Sequence, residues 1–522
     1  MMNQPQQPAM IADLLKVNRY DPVPERVDLV QTHASWVFLA GDYVYKIKKP
    51  VDFGFLDFST LSKRDFYCQE ELRLNRRLGG DYYLRVENVV RRPDGYFLGG
   101  EGTVVDYAVV MRRLPEAFLM RQLLADNLLK ESQLDELVAL LHTFYKQAKV
   151  FTDGRFGSRE KVRFDVEENF SQTEKFINDT IMAQDYKQIA AFSRNFLIDQ
   201  HKLFVRRVKE GAVREGHGDL HMEHICLPPG APLVYDCIEF NQRFRRLDVV
   251  NDLAFLAMDL EEHNRFDYAA SFVASCMRHL GDLFEPKLLS FYKCYRAYVR
   301  GKVLSFLSAD AALGEDGRQQ ARLRAARYFR LATVYASPPP AGIILLAGVS
   351  GSGKSYLAQA LSSLWGSKWL RSDVVRKELH GLSGKKAAAP FGQGIYSSEQ
   401  TFKTYQRLAE QAAAAVAEGL SVIVDAASLK AVHRELIYEV ARRHGVPIRL
   451  LVCRAPWPVL VENLKRRAAA GIDVSDADIE IARRQRFVPP DQFELETTAW
   501  LEVDTRQDLV DQIYNFVTAE RG

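Results

Sequence analysis

Ile343-Ile344-Leu345-Leu346-Ala347-Gly348-Val349-Ser350-Gly351-Ser352-Gly353-Lys354-Ser355-Tyr356-Leu357 decides the fold of the last third of this chain. Its first five residues are an unbroken apolar run of strand length, and Leu357, Leu361 and Leu364 follow at helical spacing. Between them Gly348, Gly353, Lys354 and Ser355 fill every fixed position of G-x-x-x-x-G-K-[ST]. In a strand–loop–helix context such a loop turns its backbone N–H groups, here those of Ser350, Gly351 and Ser352, toward phosphate oxygens, and the helix adds its positive N-terminal end. Lys354 then reaches the phosphates and the Ser355 hydroxyl sits on Mg²⁺. Alone, the stretch predicts a site for ATP or GTP with Mg²⁺.

Working outward from it, the order is strand, helix, strand, helix. Candidate strands are Lys368–Leu370, Leu420–Val424, Ile448–Cys453 and Trp500–Val503. Most are continuous apolar runs, as expected of a doubly wound parallel sheet covered on both faces. Asp373 follows the second strand, where a carboxylate can take the proton of an acceptor hydroxyl. Arg376, one helical turn on, can steady an anionic group. Asp373 also suits the N-cap of a helix beginning at Val374. Asp425 ends a buried strand as a second metal-organising carboxylate. It is followed by Ala426 and not by Glu, which favours transfer to an acceptor over hydrolysis. Basic residues including Arg466 and Arg467 flank the polar loop Gly471–Asp476, and Lys385, Lys386 and Tyr396 lie in a Gly-rich region. The Ser372-Asp373-x-x-Arg376 pattern and the phosphate loop resemble small-molecule and polynucleotide kinases of the phosphate-loop class. That resemblance implies Arg466 and Arg467 in a lid that closes over phosphates.

Upstream, Pro338-Pro339-Pro340 stops a long helical stretch and places a linker at 337–342. The first 336 residues divide again. Val27 to Met111 reads mainly as strands, among them Ser35–Leu39, Tyr43–Lys48, Tyr96–Leu98 and Asp106–Met111, with one helix at Leu61–Leu78. From Glu116 to Tyr335 helical periods dominate, apart from a strand-and-loop region at Gly216–Asn241. This is a bilobal plan, a small strand-rich lobe at about 27–113 and a helical one at about 116–336.

The loop Gly216-His217-Gly218-Asp219-Leu220-His221-Met222-Glu223-His224 carries a carboxylate well placed to accept a hydroxyl proton. Asp236-Cys237-Ile238-Glu239-Phe240 then offers carboxylates that could hold Mg²⁺. His217-x-Asp219-Leu220, Ile238-Glu239-Phe240-Asn241 and Leu247-Asp248-x-x-Asn251-Asp252 resemble the aminoglycoside phosphotransferase group of kinase-like enzymes. The resemblance implies Asp219 as catalytic base, Glu239 as metal ligand and Asp252 as support for the loop. It further implies a strand lysine at Lys46 or Lys48, with Lys46 preferred, a partner carboxylate at Glu71 and a hinge at Val109–Leu114. Two positions depart from the pattern. His224 stands where a metal-binding Asn is usual, and Glu239 where Asp is usual; Mg²⁺ prefers oxygen to an imidazole nitrogen. The whole chain resembles bacterial two-domain proteins that join a phosphotransferase-like domain to a phosphate-loop ATP-binding domain.

Composition sets the outer limits. At 522 residues, 47% hydrophobic and 26% charged, the chain is an ordinary globular sequence long enough for several cores. A formal charge of +3 gives no argument for nucleic acid or membrane. The six cysteines show no C-x-x-C spacing, and the opening residues show no signal-peptide pattern, so a reduced, cytoplasmic setting is expected. The function these signs predict is phosphoryl transfer from ATP to a hydroxyl-bearing small molecule at two kinase-like sites. The alternatives are polynucleotide 5′-hydroxyl phosphorylation by the C-terminal part, or nucleotide sensing by an inactive N-terminal part.

Overall fold

The computed structural model describes residues 6–311, 313–382, 393–470, 479–492, 494, 499–504 and 507–519. Lys385, Lys386 and the loop 471–476 lie outside them. The chain forms two compact units. One is built from 1–165, 197–259 and 271–289, the other from 166–196, 260–270 and 290–522. The helix Glu315–Tyr335 before the proline segment and the strand Ile343–Ala347 after it both belong to the second unit.

The first unit carries a six-stranded antiparallel sheet in the order β1-β2-β3-β6-β4-β5. Its strands are β1 (Val27–Gln31), β2 (Ser35–Ala40), β3 (Tyr43–Lys48), β4 (Tyr83–Arg92), β5 (Gly95–Leu98) and β6 (Thr103–Arg112). Alternation builds one face of it: Trp36, Phe38, Ala40, Tyr45, Ile47, Ala108 and Val110 pack as one buried cluster. On β3 the same period of two leaves Lys46 and Lys48 on one side of the strand. The helix Leu61–Gly79 packs against the sheet. Thr60 caps it by accepting from the Lys63 N–H at 3.3 Å, and Gly80 ends it at φ +50°. Its buried stripe, Cys68, Glu71, Leu74, Asn75 and Leu78, has helical spacing but includes a carboxylate. A carboxylate at the centre of such a stripe needs cationic partners.

Two short ladders frame the next loop. β7 (Val213–Glu215) pairs antiparallel with β10 (Arg246–Asp248), and β8 (Ile225–Cys226) with β9 (Leu233–Val234). Residues 216–224 are held between them.

The second unit contains a five-stranded, all-parallel sheet in the order β12-β13-β11-β14-β15. The strands are β11 (Ile343–Ala347), β12 (Lys368–Arg371), β13 (Val422–Asp425), β14 (Ile448–Arg454) and β15 (Ala499–Asp504). The central β11 and β13 are buried at every position, which is why they read as unbroken apolar runs. The expected doubly wound sheet is present, with the glycine-rich loop leaving its middle strand. The following helix, Lys354–Trp365, is seated on a buried polar network. Lys293 Nζ donates to both oxygens of Glu261 at 2.8 and 3.0 Å and to the Ser363 carbonyl at 2.8 Å, and Trp365 Nε1 donates to the Val334 carbonyl at 2.9 Å. With Tyr335 also on Glu261, the carboxylate and the ammonium are fully partnered, as burial demands. Among the described residues no helix is long and apolar enough to cross a membrane.

Candidate functional site

In the second unit the loop after β11 is shaped by positions where only glycine fits. Gly348 has φ +137°, and a Cβ there would stand 2.4 Å from the Cys453 carbonyl oxygen and 2.8 Å from Ser352 Oγ. Gly351 and Gly353 also have positive φ, and Gly353 is the N-cap of the helix. Lys354 Nζ donates to the Val349 carbonyl at 2.9 Å, folded back over its own loop. Burial pulls its ammonium below the ordinary lysine range, against the attraction of Asp425. Asp425, at the end of β13, is 5% exposed. Burial pushes its carboxyl up, while Lys354 and a hydrogen bond from Ser355 pull the other way. Trp369 Nε1 also donates to Asp425, at 3.2 Å. The fold thus brings Lys354, Ser355 and Asp425 together at the C-terminal edge of the sheet. Ligands bind at this edge in open α/β sheets.

Asp373 lies in the first turn of the helix Ser372–Leu379, whose N-cap is Arg371 without a side-chain cap bond. Its carboxylate is therefore not spent on capping. It pairs with Arg376 Nη1 at 2.9 Å, and Arg376 stacks over Tyr396 at 5.0 Å from the ring centroid. Asp373 also contributes to the field at Lys354. Two contacts were not legible in the sequence. Gln485 Oε1 accepts from the Ser350 N–H at 2.6 Å, and Asn463 Nδ2 donates to the Gly351 carbonyl at 2.9 Å. Arg467 lies close enough to act electrostatically on Lys354. Arg466 is exposed and donates to Asn463 at 3.2 Å.

In the first unit Asp252 organises the loop. Its carboxylate accepts from the His217 N–H at 2.7 Å, the Gly218 N–H at 2.9 Å and the Tyr145 hydroxyl at 2.9 Å. His217 is fully buried, with Nε2 at 2.9 Å from the Tyr235 carbonyl and Nδ1 accepting from the Asp219 N–H at 3.2 Å. A carbonyl only accepts, so the ring is the neutral Nε2–H tautomer. Burial lowers its pKa to about 4. His224 Nδ1 donates to the Asp219 carbonyl at 3.0 Å, and burial also lowers the pKa of His224.

Facing this loop, Lys46 and Lys48 both reach Glu71, at 2.9 and 2.6 Å. Their further partners differ. Lys46 pairs with Asp236 Oδ1 at 2.5 Å, whereas Lys48, 1% exposed, pairs with Glu239. Asp236, 38% exposed, turns Oδ2 toward His224 Nε2 at 3.5 Å, while Glu239 is 6% exposed and closed in behind Lys48. Asp236 has φ +62°, a left-handed conformation that Asp tolerates better than most residues. Burial works against its charge, but Lys46 holds its carboxyl well below the usual range. Glu239 shifts upward, because burial and Glu71 outweigh Lys48. The structure therefore joins Asp219, His224, Asp236, Lys46 and Glu71 in one line of contacts and sets Glu239 behind it. The sequence reading drew metal-binding carboxylates from Asp236–Phe240 and named Glu239 among them; the structure sets Asp236 beside Lys46 and His224, and Glu239 beside Lys48. The available signal for Asp236 was its position directly after the β9 strand, two residues past Val234. The expected hinge residues Met111, Arg112 and Leu114 line, with Tyr83, Leu233 and Tyr235, a cavity of about 30 Å³, enough for one water.

Residues 343–489 match the family model described as an AAA domain. Over 467 residues the chain is 30% identical to the uncharacterized protein Rv2004c of Mycobacterium tuberculosis (strain ATCC 25618 / H37Rv), covering 87% of this chain and 89% of that protein. The same figures relate it to the uncharacterized protein Mb2027c of Mycobacterium bovis. A choline/ethanolamine kinase family protein from Mesorhizobium loti covers 69% of the chain and all of its own, at 13% identity and TM-score 0.38. An APS kinase from Mycobacterium tuberculosis covers 35% of the chain and all of its own, at 22% identity and TM-score 0.26. With an AAA domain at residues 343–489 and 30% identity over most of both lengths, the chain belongs to the family of these mycobacterial proteins.

Proposed function

We propose that this protein is an ATP-dependent phosphotransferase that moves the γ-phosphoryl group to a hydroxyl of a small molecule, with residues 343–522 as a phosphate-loop kinase module and 1–336 as a kinase-like module. The observation that carries the reading is the convergence of Lys354, Ser355 and Asp425 below the loop, with Asp373 and Arg376 one strand away. The loop amides and Lys354 bind the phosphates. Asp373 accepts the hydroxyl proton of the acceptor, and Arg376 offsets charge on the group in transfer. Ser355 and Asp425 are both oxygen donors, which fits Mg²⁺; bound there, the ion neutralises phosphate charge. In the other module Asp219 acts as proton acceptor, with Lys46 and Glu71 on the phosphate side.

The test is to incubate the full chain with γ-labelled ATP and a small-molecule extract and to identify what gains phosphate. Lys354→Ala, Asp373→Asn and Asp219→Asn are run in parallel. Label reaching a small molecule only when Lys354 and Asp373 are intact supports the assignment. Transfer undiminished in Asp373→Asn overturns the base, and release of free phosphate alone overturns the transferase. Label on oligonucleotide 5′ ends, with binding that falls steeply with salt, selects the polynucleotide reading.

A further inference from the structure

We propose that the catalytic-loop site of the first unit selects a transition-series divalent ion of the Mn²⁺ to Zn²⁺ type over Mg²⁺, bound between His224 Nε2 and Asp236 Oδ2. The inference rests on the reading of this site as a kinase-like metal site, and its test uses neither nucleotide nor acceptor.

The argument starts from a tautomer. His224 Nδ1 lies 3.0 Å from the main-chain carbonyl of Asp219, and a carbonyl can only accept, so the hydrogen sits on Nδ1. In the neutral ring Nε2 then keeps its lone pair, and what faces it, at 3.5 Å, is Asp236 Oδ2. The other oxygen of Asp236 is engaged by Lys46, which fixes which oxygen turns to the imidazole. Two lone-pair donors pointed at each other repel unless a cation lies between them. The separation fits one: two ligand bonds of about 2.1 Å at an angle of about 110° place the donor atoms about 3.4 Å apart. It is longer than a charge-assisted N–H···O bond, which runs about 2.7–2.9 Å.

A second cluster adjoins the pair: Asp219, His221 and His224, without Asp236, offer ligand atoms that all lie within 4.8 Å of one another, with Asp219 Oδ2 at 3.4 Å from His221 Nε2. And the charges around the site do not balance. Glu71, Asp236 and Glu239 bring three carboxylates against the two ammoniums of Lys46 and Lys48. Imidazole donors set the class of ion: they suit Zn²⁺, Mn²⁺ and their neighbours, whereas Mg²⁺ asks for an all-oxygen shell. The residues here do not fit the Mg²⁺ that the fold implies.

Titration of the full chain with Mn²⁺, followed by pulsed electron paramagnetic resonance, reads the ligand directly, because an imidazole nitrogen imprints a ¹⁴N modulation on the bound ion. The oxygen donors Ser355 and Asp425 in the second unit imprint none. The wild type is expected to show the modulation and to retain the ion against a large excess of Mg²⁺. His224→Asn is expected to lose the modulation and to let Mg²⁺ compete better, by on the order of tenfold or more. Asp236→Asn should weaken the same ion while leaving the imidazole in place. A wild type without ¹⁴N modulation, or one whose modulation and Mn²⁺/Mg²⁺ ratio survive His224→Asn, overturns the proposal. The wild-type spectrum decides even if a variant fails to fold. Nitrogen-ligated Mn²⁺ without any phosphate transfer upholds the metal selection and removes the transferase reading, while transfer supported by Mg²⁺ with no ¹⁴N signal does the reverse.

Discussion

Gln485→Ala is expected to tighten nucleotide binding at the phosphate loop, although it deletes a polar contact to that loop. Gln485 Oε1 sits 2.6 Å from the Ser350 N–H, one of the amides that the loop presents to phosphate oxygens. A phosphate entering the loop has to break this bond before it makes its own, so the side chain acts as an internal competitor. A neutral intramolecular hydrogen bond is worth a net ~0.5–1.5 kcal/mol. Removing it should lower the dissociation constant of a non-hydrolysable ATP analogue by roughly 2- to 12-fold. The enthalpy should become more favourable as well, since the amide is then paired only with exchangeable water. Isothermal titration of the wild type and of Gln485→Ala, with Lys354→Ala as the weak-binding reference, measures this. Gln485→Glu sharpens the test: it keeps an acceptor oxygen at the amide and adds a negative charge where phosphate must come, so it should bind more weakly than the wild type. If Gln485→Ala weakens binding by the same factor, the side chain is a nucleotide ligand and not a competitor, and the reasoning fails.

Four other outcomes follow from the geometry. Asp252→Ala leaves the His217 and Gly218 amides and the Tyr145 hydroxyl without their acceptor, so the first unit should lose about 3 kcal/mol or more of stability in chemical denaturation. His217 has its folded pKa depressed to about 4 from 6.5, so its neutral form stabilises the fold fully above pH 6.5. That contribution is lost as pH falls from 6.5 toward 4, by up to about 3 kcal/mol, and His217→Gln should flatten the pH dependence of unfolding in that window. Lys354→Ala should weaken nucleotide binding in the second unit by roughly 12- to 160-fold, as loss of a charge-assisted contact of about 1.5–3 kcal/mol implies. Gly348→Ala forces a Cβ to 2.4 Å from the Cys453 carbonyl at φ +137°; nucleotide-induced thermal stabilisation should disappear.

How much of this was legible in the sequence depends on how local the determinants are. The phosphate loop was fully legible, because a strand, a glycine pattern and a helix are contiguous and each glycine answers a steric demand of the loop itself. β11 and β13 were legible as buried strands because both faces are covered. β4 was not singled out, since its alternation is interrupted by register shifts between Tyr83 and Arg85 and between Val89 and Val90. Gln485 was invisible for a different reason: its partner is 135 residues away, and a lone glutamine in a basic stretch carries no spacing signal.

Asp236 and Glu239 compete for the role of metal ligand in the first unit, and their partners differ. Glu239 and Asp236 are three residues apart in a strandless segment, and a motif template fits Glu239 because an Ile precedes it and a Phe follows. Geometry ranks the two by what already neutralises them. Lys48 is 1% exposed, bonded to both Glu71 and Glu239, and its ammonium lies 4.7 Å from the centroid of the Phe58 ring. Withdrawing Glu239 from it to serve a phosphate-bound ion would leave a buried ammonium with one counter-charge, at a cost of several kcal/mol. Asp236 carries no such obligation on Oδ2, stands at the exposed end of the same network, and meets His224 of the loop 216–224 at 3.5 Å. The two lysines on one face of β3 thus divide the work: Lys48 with Glu239 closes the interior, and Lys46 with Asp236 faces the loop. Exchanging the pairs should confirm the order. Asp236→Asn should weaken metal binding in the first unit with little loss of stability, and Glu239→Gln should destabilise the unit while metal binding survives in the fraction that folds.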